Sequence, residues 1–296
     1  MSATPIPDRP PRRKHYRLRR TLVEAGSILL AIVLVLWALI PVYNMFTIAL
    51  DPQGHNEFSG LLWPEHPTLK AFIDLWTEGT DDVAEIWLQF GNSLFVGAIA
   101  TVLTVVVSSL ASFAIGRMCV ARQWTLTGTA LMTYAIPASV LIIPFIRIMQ
   151  IYGLSDNLWG VIAAEVTFAT PYAILVLLYY AKLIPAELDD AARIDGASVA
   201  QVYLRIYLPL MAPALAAVGT YALLYAWNDY FYQYMLLLSQ KHITVAVALE
   251  QFFDDDDAPF NYMMAIAIIY SLPPIATFYA LRRFMASGLT AGGMKG

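Results

Sequence analysis

The chain of 296 residues contains one cysteine, Cys119, which rules out an intrachain disulfide and a cysteine-based metal cluster. Histidine is scarce too. His15, His55, His66 and His242 all lie outside the apolar runs, and no His-Glu-x-x-His or Gly-x-Ser-x-Gly pattern occurs, so intramembrane hydrolysis has no candidate machinery. No Gly-rich phosphate loop ending in Lys-Ser or Lys-Thr is present, and the chain by itself has no recognisable means of hydrolysing ATP. Charge is sparse as well: 14% of residues are charged against 59% hydrophobic, too apolar for an ordinary soluble domain and typical of a polytopic membrane protein.

What is present is a series of uncharged runs. Residues 25–50 carry no Asp, Glu, Lys, Arg or His, and at about 1.5 Å per residue they reach roughly 39 Å, enough to cross a bilayer with tilt. The run is too long for a usual signal-peptide core and shows no convincing small-residue cleavage site, which predicts a retained span. Further spans are predicted over 90–116, 124–146, 158–181, about 206–227 and about 262–281, giving an all-α protein with six transmembrane helices. Prolines 137, 144, 171, 213, 273 and 274 fall inside or at the ends of these spans, where each frees a carbonyl and permits a kink. Residues 1–20, rich in Pro and Arg, are predicted to be a disordered basic tail held near anionic lipid.

Charge asymmetry sets the expected topology. The tail, the 117–122 loop, the 182–206 loop and the C-terminus hold 15 of the 18 Lys and Arg residues, leaving Lys70, Arg147 and Lys241. Loop 51–89, by contrast, has eight acidic residues and one basic one, and is predicted to be exported with short helices; 229–261 is the second exported loop. The positive-inside rule then puts both termini and the 182–206 loop in the cytoplasm. Such an asymmetry is topological and no sign of nucleic-acid binding.

One polar island interrupts the apolar sequence, ELDDAARIDGASVAQVYLRIYLP at 187–209. Pro185 fits a first helical turn, and Glu187, Asp189 and Asp190 place negative charge at the positive end of the helix dipole. Ala191 and Ala192 offer a low surface that another protein can approach closely, and Gly196 permits a sharp turn before a second helix near Val199. The pattern predicted is helix, turn, helix, membrane.

These residues resemble the cytoplasmic loop of ATP-binding-cassette importer permeases, which carries Glu-Ala-Ala, three residues, Gly, nine residues, Ile, one residue, Leu-Pro. Asp190, Ala191, Ala192, Gly196, Ile206, Leu208 and Pro209 fall at that spacing, with Asp in place of the first Glu and Glu187 nearby to share its role. The C-terminal Gly288, Leu289, Thr290, Ala291, Gly292, Gly293 and Lys295, by composition a flexible polar tail, resemble the Gly-Leu-Thr-Ala-Gly-Gly-x-Lys-Gly ending of the maltose-permease G-type subunit. Trp227, Asn228 and Asp229 are similar to that subunit's outer turn after the fifth span and, with Glu165, are candidates for a contact on the pathway or with a partner subunit. The likeness covers most of the chain.

The resemblance implies a type I importer permease fold in a bacterial inner membrane, with a central unit at 21–287 and a tail at 288–296 reaching the ATPase. It also implies a coupling helix in 187–209 and, as partners, a second permease subunit, a dimeric ATPase that binds ATP and magnesium, and an extracytoplasmic sugar-binding protein. This chain itself then needs no cofactor. Two readings of Glu165, the one acidic residue well inside a span, stand open: a contact on the pathway or with a partner subunit, and a protonated or hydrogen-bonded packing residue. Most of the aromatic cluster at 225–234 is explained by an interfacial belt. The alternative class, an ion-coupled secondary transporter, requires paired intramembrane carboxylates, and the sequence shows only one.

Overall fold

A chain this apolar must satisfy its backbone groups within each segment, and the computed structural model is helical, with no strand among the described residues. Those residues are 13–52, 62–77, 84–118, 120–133, 136–185, 187–252 and 259–292; of 13–19, 120 and 285–292 only the backbone is considered. In order the helices are α1 (Arg13–Ala49), α2 (Lys70–Thr77), α3 (Ile86–Gly116), α4 (Val120–Met132), α5 (Ala138–Ile151), α6 (Leu158–Ala181), α7 (Glu187–Ile194) and α8 (Val199–Val202). A π-helical stretch (Tyr203–Tyr207) leads into α9 (Leu208–Leu210), α10 (Ala212–Asn228), α11 (Phe231–Leu236), α12 (Val245–Gln251) and α13 (Phe260–Gly292). Four of these, α1, α3, α6 and α13, are long and apolar enough to cross a membrane, and the bent segment ending in α10 makes a fifth.

The predicted fourth span coincides with α6, and the second with most of α3. Two others need correction. The run 124–146 is two helices, because Pro137 takes an extended conformation (ψ 131°) as the N-cap of α5 and the residue before a proline is kept from helical geometry. The fifth span does not run straight from Ile206: Val199–Leu210 and Ala212–Asn228 meet at 78°. Pro209 and Pro213 flank that bend, and neither has an N–H to continue a helical ladder. At the chain ends, α1 already begins at Arg13, within the segment expected to be disordered, while residues 1–12 lie outside the described ones. The backbone of α13 continues through Gly292, since Ala286, Leu289 and Ala291 favour helix and no proline follows Pro274.

Three apolar clusters hold the bundle. At one end, the last turn of α1, α2, and the starts of α3 and α13 close around Val245, with Ala49, Leu75 and Tyr262 buried. Next to it, α3, α5, α6, α11 and α12 bury Val96, Val161, Tyr232 and Val247. At the far end, Phe113 of α3, Leu177 of α6 and Val218 of α10 surround α7 and the π-helical stretch. These are the α12 end and the α7 end of the bundle.

α3 and α6 run in the same direction: Phe95 and Trp159, early in each, meet edge to face with centroids 5.7 Å apart, and Phe113 and Leu177, late in each, share the α7-end cluster. Parallel neighbours oblige the intervening chain to return along the bundle, and α4 with α5 makes that return. α1 stands apart. Apart from its last turns it is exposed along its length, with Trp37 74% accessible.

Candidate functional site

The polar island folds as its residues dictate. Glu187, Asp189 and Asp190 occupy the first turn of α7 and Arg193 the last, complementing the dipole at both ends. The helix closes in a Schellman motif: the Ala197 amide donates to the Ala192 carbonyl (2.9 Å) and the Gly196 amide to that of Arg193 (3.0 Å). Gly196 sits at φ +80°, a left-handed conformation that a Cβ disfavours, although no atom lies within 4 Å of where a Cβ would stand. Ser198 then caps α8 in a reciprocal box, its hydroxyl accepting from the Gln201 amide at 3.3 Å while its own amide donates to the Gln201 side chain at 2.7 Å.

Hydrogen bonds and one ion pair fix this loop on the last two turns of α3. Tyr203 and Tyr207, one turn apart, share hydrogen bonds with Ser109 (2.7 Å) and Ser112 (2.9 Å), and Phe113 lies edge-on to both tyrosine rings. Arg117 pairs with Asp189 at 2.5 Å while its guanidinium covers the Phe113 ring, 3.5 Å from the centroid. Both side chains of the pair are about three-quarters buried (25% and 20% accessible), so removing either one would leave the other charge unpaired and largely out of water. Sequence reasoning passed over Arg117 as a site residue and gave Asp189 only a part in complementing the helix dipole. The signal available for the tyrosine–serine contacts was two serines three apart on the uncharged run 90–116 and two tyrosines four apart after Val202.

The loop's outward surface differs from expectation. Ala192 is turned inward, 9% accessible, against Phe113, Leu177 and Val202, so this chain's own packing demands the small side chain. Ala191 does face outward, and the same loop carries exposed apolar side chains, Ile194 at 86%, Val199 at 65% and Leu204 at 59% accessible. Asp190 is exposed and borders a cavity of about 270 Å³ together with Arg117, Lys182, Asp189 and Arg193. Ile206 and Leu208 are half-buried against the same core as Ala192, and Pro209 is exposed at the bend.

The remaining predicted residues are distributed elsewhere. Glu165 is 2% accessible within the bundle, neither carboxylate oxygen makes a hydrogen bond, and its electrostatic neighbours are Asp229 and Gln233. Asp229 caps α11, accepting from the amides of Tyr232 (3.1 Å) and Gln233 (3.3 Å). Trp227 is buried, stacked on Tyr270 at 4.7 Å with reciprocal hydrogen bonds between each polar tip and the other's carbonyl; Asn228 is exposed. Since Trp227 ends α10 and Tyr270 lies early in α13, α13 heads toward the α7 end. The backbones of Gly288, Leu289, Thr290, Ala291 and Gly292 continue that helix, while Gly293 and Lys295 lie outside the described residues.

At the α12 end, Asp156 joins the loop before α6 to the loop after α11. Burial tends to raise its pKa, but the amides of Leu238 (2.8 Å) and Ser239 (3.0 Å) donate to its carboxylate and hold it down at about 2.

With this geometry in place, residues 117–290 match the profile of the family described as binding-protein-dependent transport system inner membrane component. The chain belongs to that family. Members with similar sequences include the inner membrane ABC transporter permease protein YcjP of Escherichia coli (strain K12), 30% identical over 89% of this chain and 94% of that protein. Another is the trehalose transport system permease protein SugB of Mycobacterium tuberculosis (strain CDC 1551 / Oshkosh), 31% identical over 88% and 93%. The melibiose/raffinose/stachyose import permease protein MelC of Bacillus subtilis (strain 168) is 27% identical over 95% of this chain and the whole of that protein. A solved bacterial ABC transporter involved in the import of the acidic polysaccharide alginate shares the fold, with a TM-score of 0.74 at 20% identity over 95% of this chain and 99% of that one. As in the family description, the chain is a multi-pass inner-membrane component of a transport system, and the matched region opens at Arg117, the residue that pins α7.

Proposed function

We propose that this chain is the permease subunit of an ATP-driven, binding-protein-dependent carbohydrate importer. It forms half of the translocation pathway and takes its drive from a separate ATPase through α7. The observation that carries this reading is the short, doubly capped helix pair at 187–202, held on α3 from behind and presenting uncovered Ala191, Ile194 and Val199 in front. Membership of the family and the sugars named for its relatives support the substrate class. In this reading α4 and α5 together make the third of six crossings, both termini and α7 are cytoplasmic, and the α12 end faces the binding protein. A second permease subunit completes the pathway and covers α1. The chain catalyses no covalent change; ATP and magnesium are bound by the ATPase pair, near which the end of α13 terminates.

An ion-coupled carrier asks for paired intramembrane carboxylates, and the fold does bring Asp229 beside Glu165. Asp229, however, is engaged by two backbone amides as a helix cap. The complex purified from its native membrane and placed in liposomes separates the two mechanisms. Accumulation of trehalose or melibiose together with the cognate binding protein should require ATP and persist when ionophores abolish ion gradients; accumulation driven by an imposed proton or sodium gradient without ATP would overturn the proposal.

A further inference from the structure

The covalent route from the α7 loop into the bundle passes through the π-helical stretch and the 78° bend before α10, a poor path for transmitting a push. α6, which precedes the loop, has Pro171 in its interior, and α1 and α13 also carry interior prolines. Among the described helices long enough to cross a membrane, α3 alone has none. It is fastened at both ends. At the α7 end stand the Ser109, Ser112 and Arg117 contacts; at the α12 end the Asn92 amide donates to the carbonyls of Lys241 and Ile243, both at 2.9 Å, and the Ser93 hydroxyl accepts from the Val245 amide at 3.0 Å. From Asn92 to Arg117 the helix spans roughly 37 Å at about 1.5 Å per residue.

We infer that α3 is the strut that carries displacement of the docked α7 loop to the 241–245 loop at the opposite end, and that Arg117 is the positioning residue that joins α7 to it. This rests on the reading of α7 as the ATPase-docking helix. Arg117 suits the role because its guanidinium is held on both sides, by the Asp189 carboxylate and by the Phe113 ring, and one of its nitrogens also donates to the Phe113 carbonyl at 3.1 Å. α7 therefore cannot shift without either taking the end of α3 along or breaking a contact that is largely closed to water.

The test uses the whole complex, with Cys119→Ser and Lys241→Cys as the parent chain. The Lys241 side chain is exposed and only its backbone carbonyl holds Asn92, so the reporter leaves the fastening intact. The rate of reaction of residue 241 with an impermeant maleimide is compared with and without ATP and vanadate. The parent is expected to change its rate severalfold on trapping. In Arg117→Gln the ATPase should stay bound and hydrolyse ATP while the rate at 241 no longer responds, and the exchange of Arg117→Asp with Asp189→Arg should restore part of the response. Ser109→Ala combined with Ser112→Ala, which leaves the helix and the ion pair in place, should reduce the response as well and serves if Arg117→Gln fails to assemble. A parent whose ATPase is bound but whose residue 241 does not respond, or variants that respond as the parent does, would overturn the inference. A parent that captures no ATPase would instead contradict the functional reading on which it stands.

Discussion

At the scale of single residues, position in the fold changes what several side chains mean. Ala192 fits the motif by its sequence, yet its size answers to the core behind it. Ile194 carries no motif and is the most exposed apolar side chain of the loop. Asp156 shows how one carboxylate can tie two loops: with its folded pKa at about 2, below the ordinary aspartate value, it contributes stability that is fully present above about pH 4 and is lost as pH falls through about 2. Asp156→Asn, which tolerates the residue's φ of +51°, should lower stability by about 1 kcal/mol at neutral pH, and the gap from the parent should shrink between about pH 4 and pH 2. Thermal unfolding in detergent across that range checks both the size and the sign; a gap that stays constant down to pH 2 contradicts the assignment. None of this was legible in the sequence, because the partners of Asp156 lie 82 and 83 positions away.

At the scale of elements, what could be read directly was what local chemistry determines. The limits of α6, the acidic start of α7, the turn at Gly196 and the second helix near Val199 all follow from charge, glycine and local pattern. What could not be read was how far a proline interrupts an apolar run: the break between α4 and α5, and the π-helical stretch and bend that shorten the fifth span. Pro137 and Pro213 marked those places as kinks, but the sequence alone does not say how sharp a kink will be. The Schellman turn makes a separable claim. Gly196→Val should cost about 1–2 kcal/mol because a β-branched residue resists the left-handed conformation, whereas Gly196→Asn should cost distinctly less, there being open space for its side chain. Unfolding midpoints of the two variants decide it, and equal losses would mean that space, and not φ, restricts the position.

For the whole molecule, the directions of α3, α6, α10 and α13 put one set of loops at each end of the bundle, and the family places such a bundle in the inner membrane as part of a transport system. In the proposed mechanism an ATPase grips the α7 end at the exposed side chain of Ile194. Burying an isoleucine contributes about 1.5–3 kcal/mol and forcing a carboxylate into the same place costs more, so Ile194→Glu should weaken capture of the ATPase at least tenfold. The chain should still insert and fold, because Ile194 is 86% accessible and adds little to the packing of the bundle. The deciding measurement is the amount of ATPase retained on the purified subunit as salt-washed detergent extract is passed over it, comparing Ile194→Glu with Gln240→Glu at the opposite end. Near-complete loss is expected for Ile194→Glu and normal retention for Gln240→Glu; full retention by a folded Ile194→Glu subunit would contradict docking at α7.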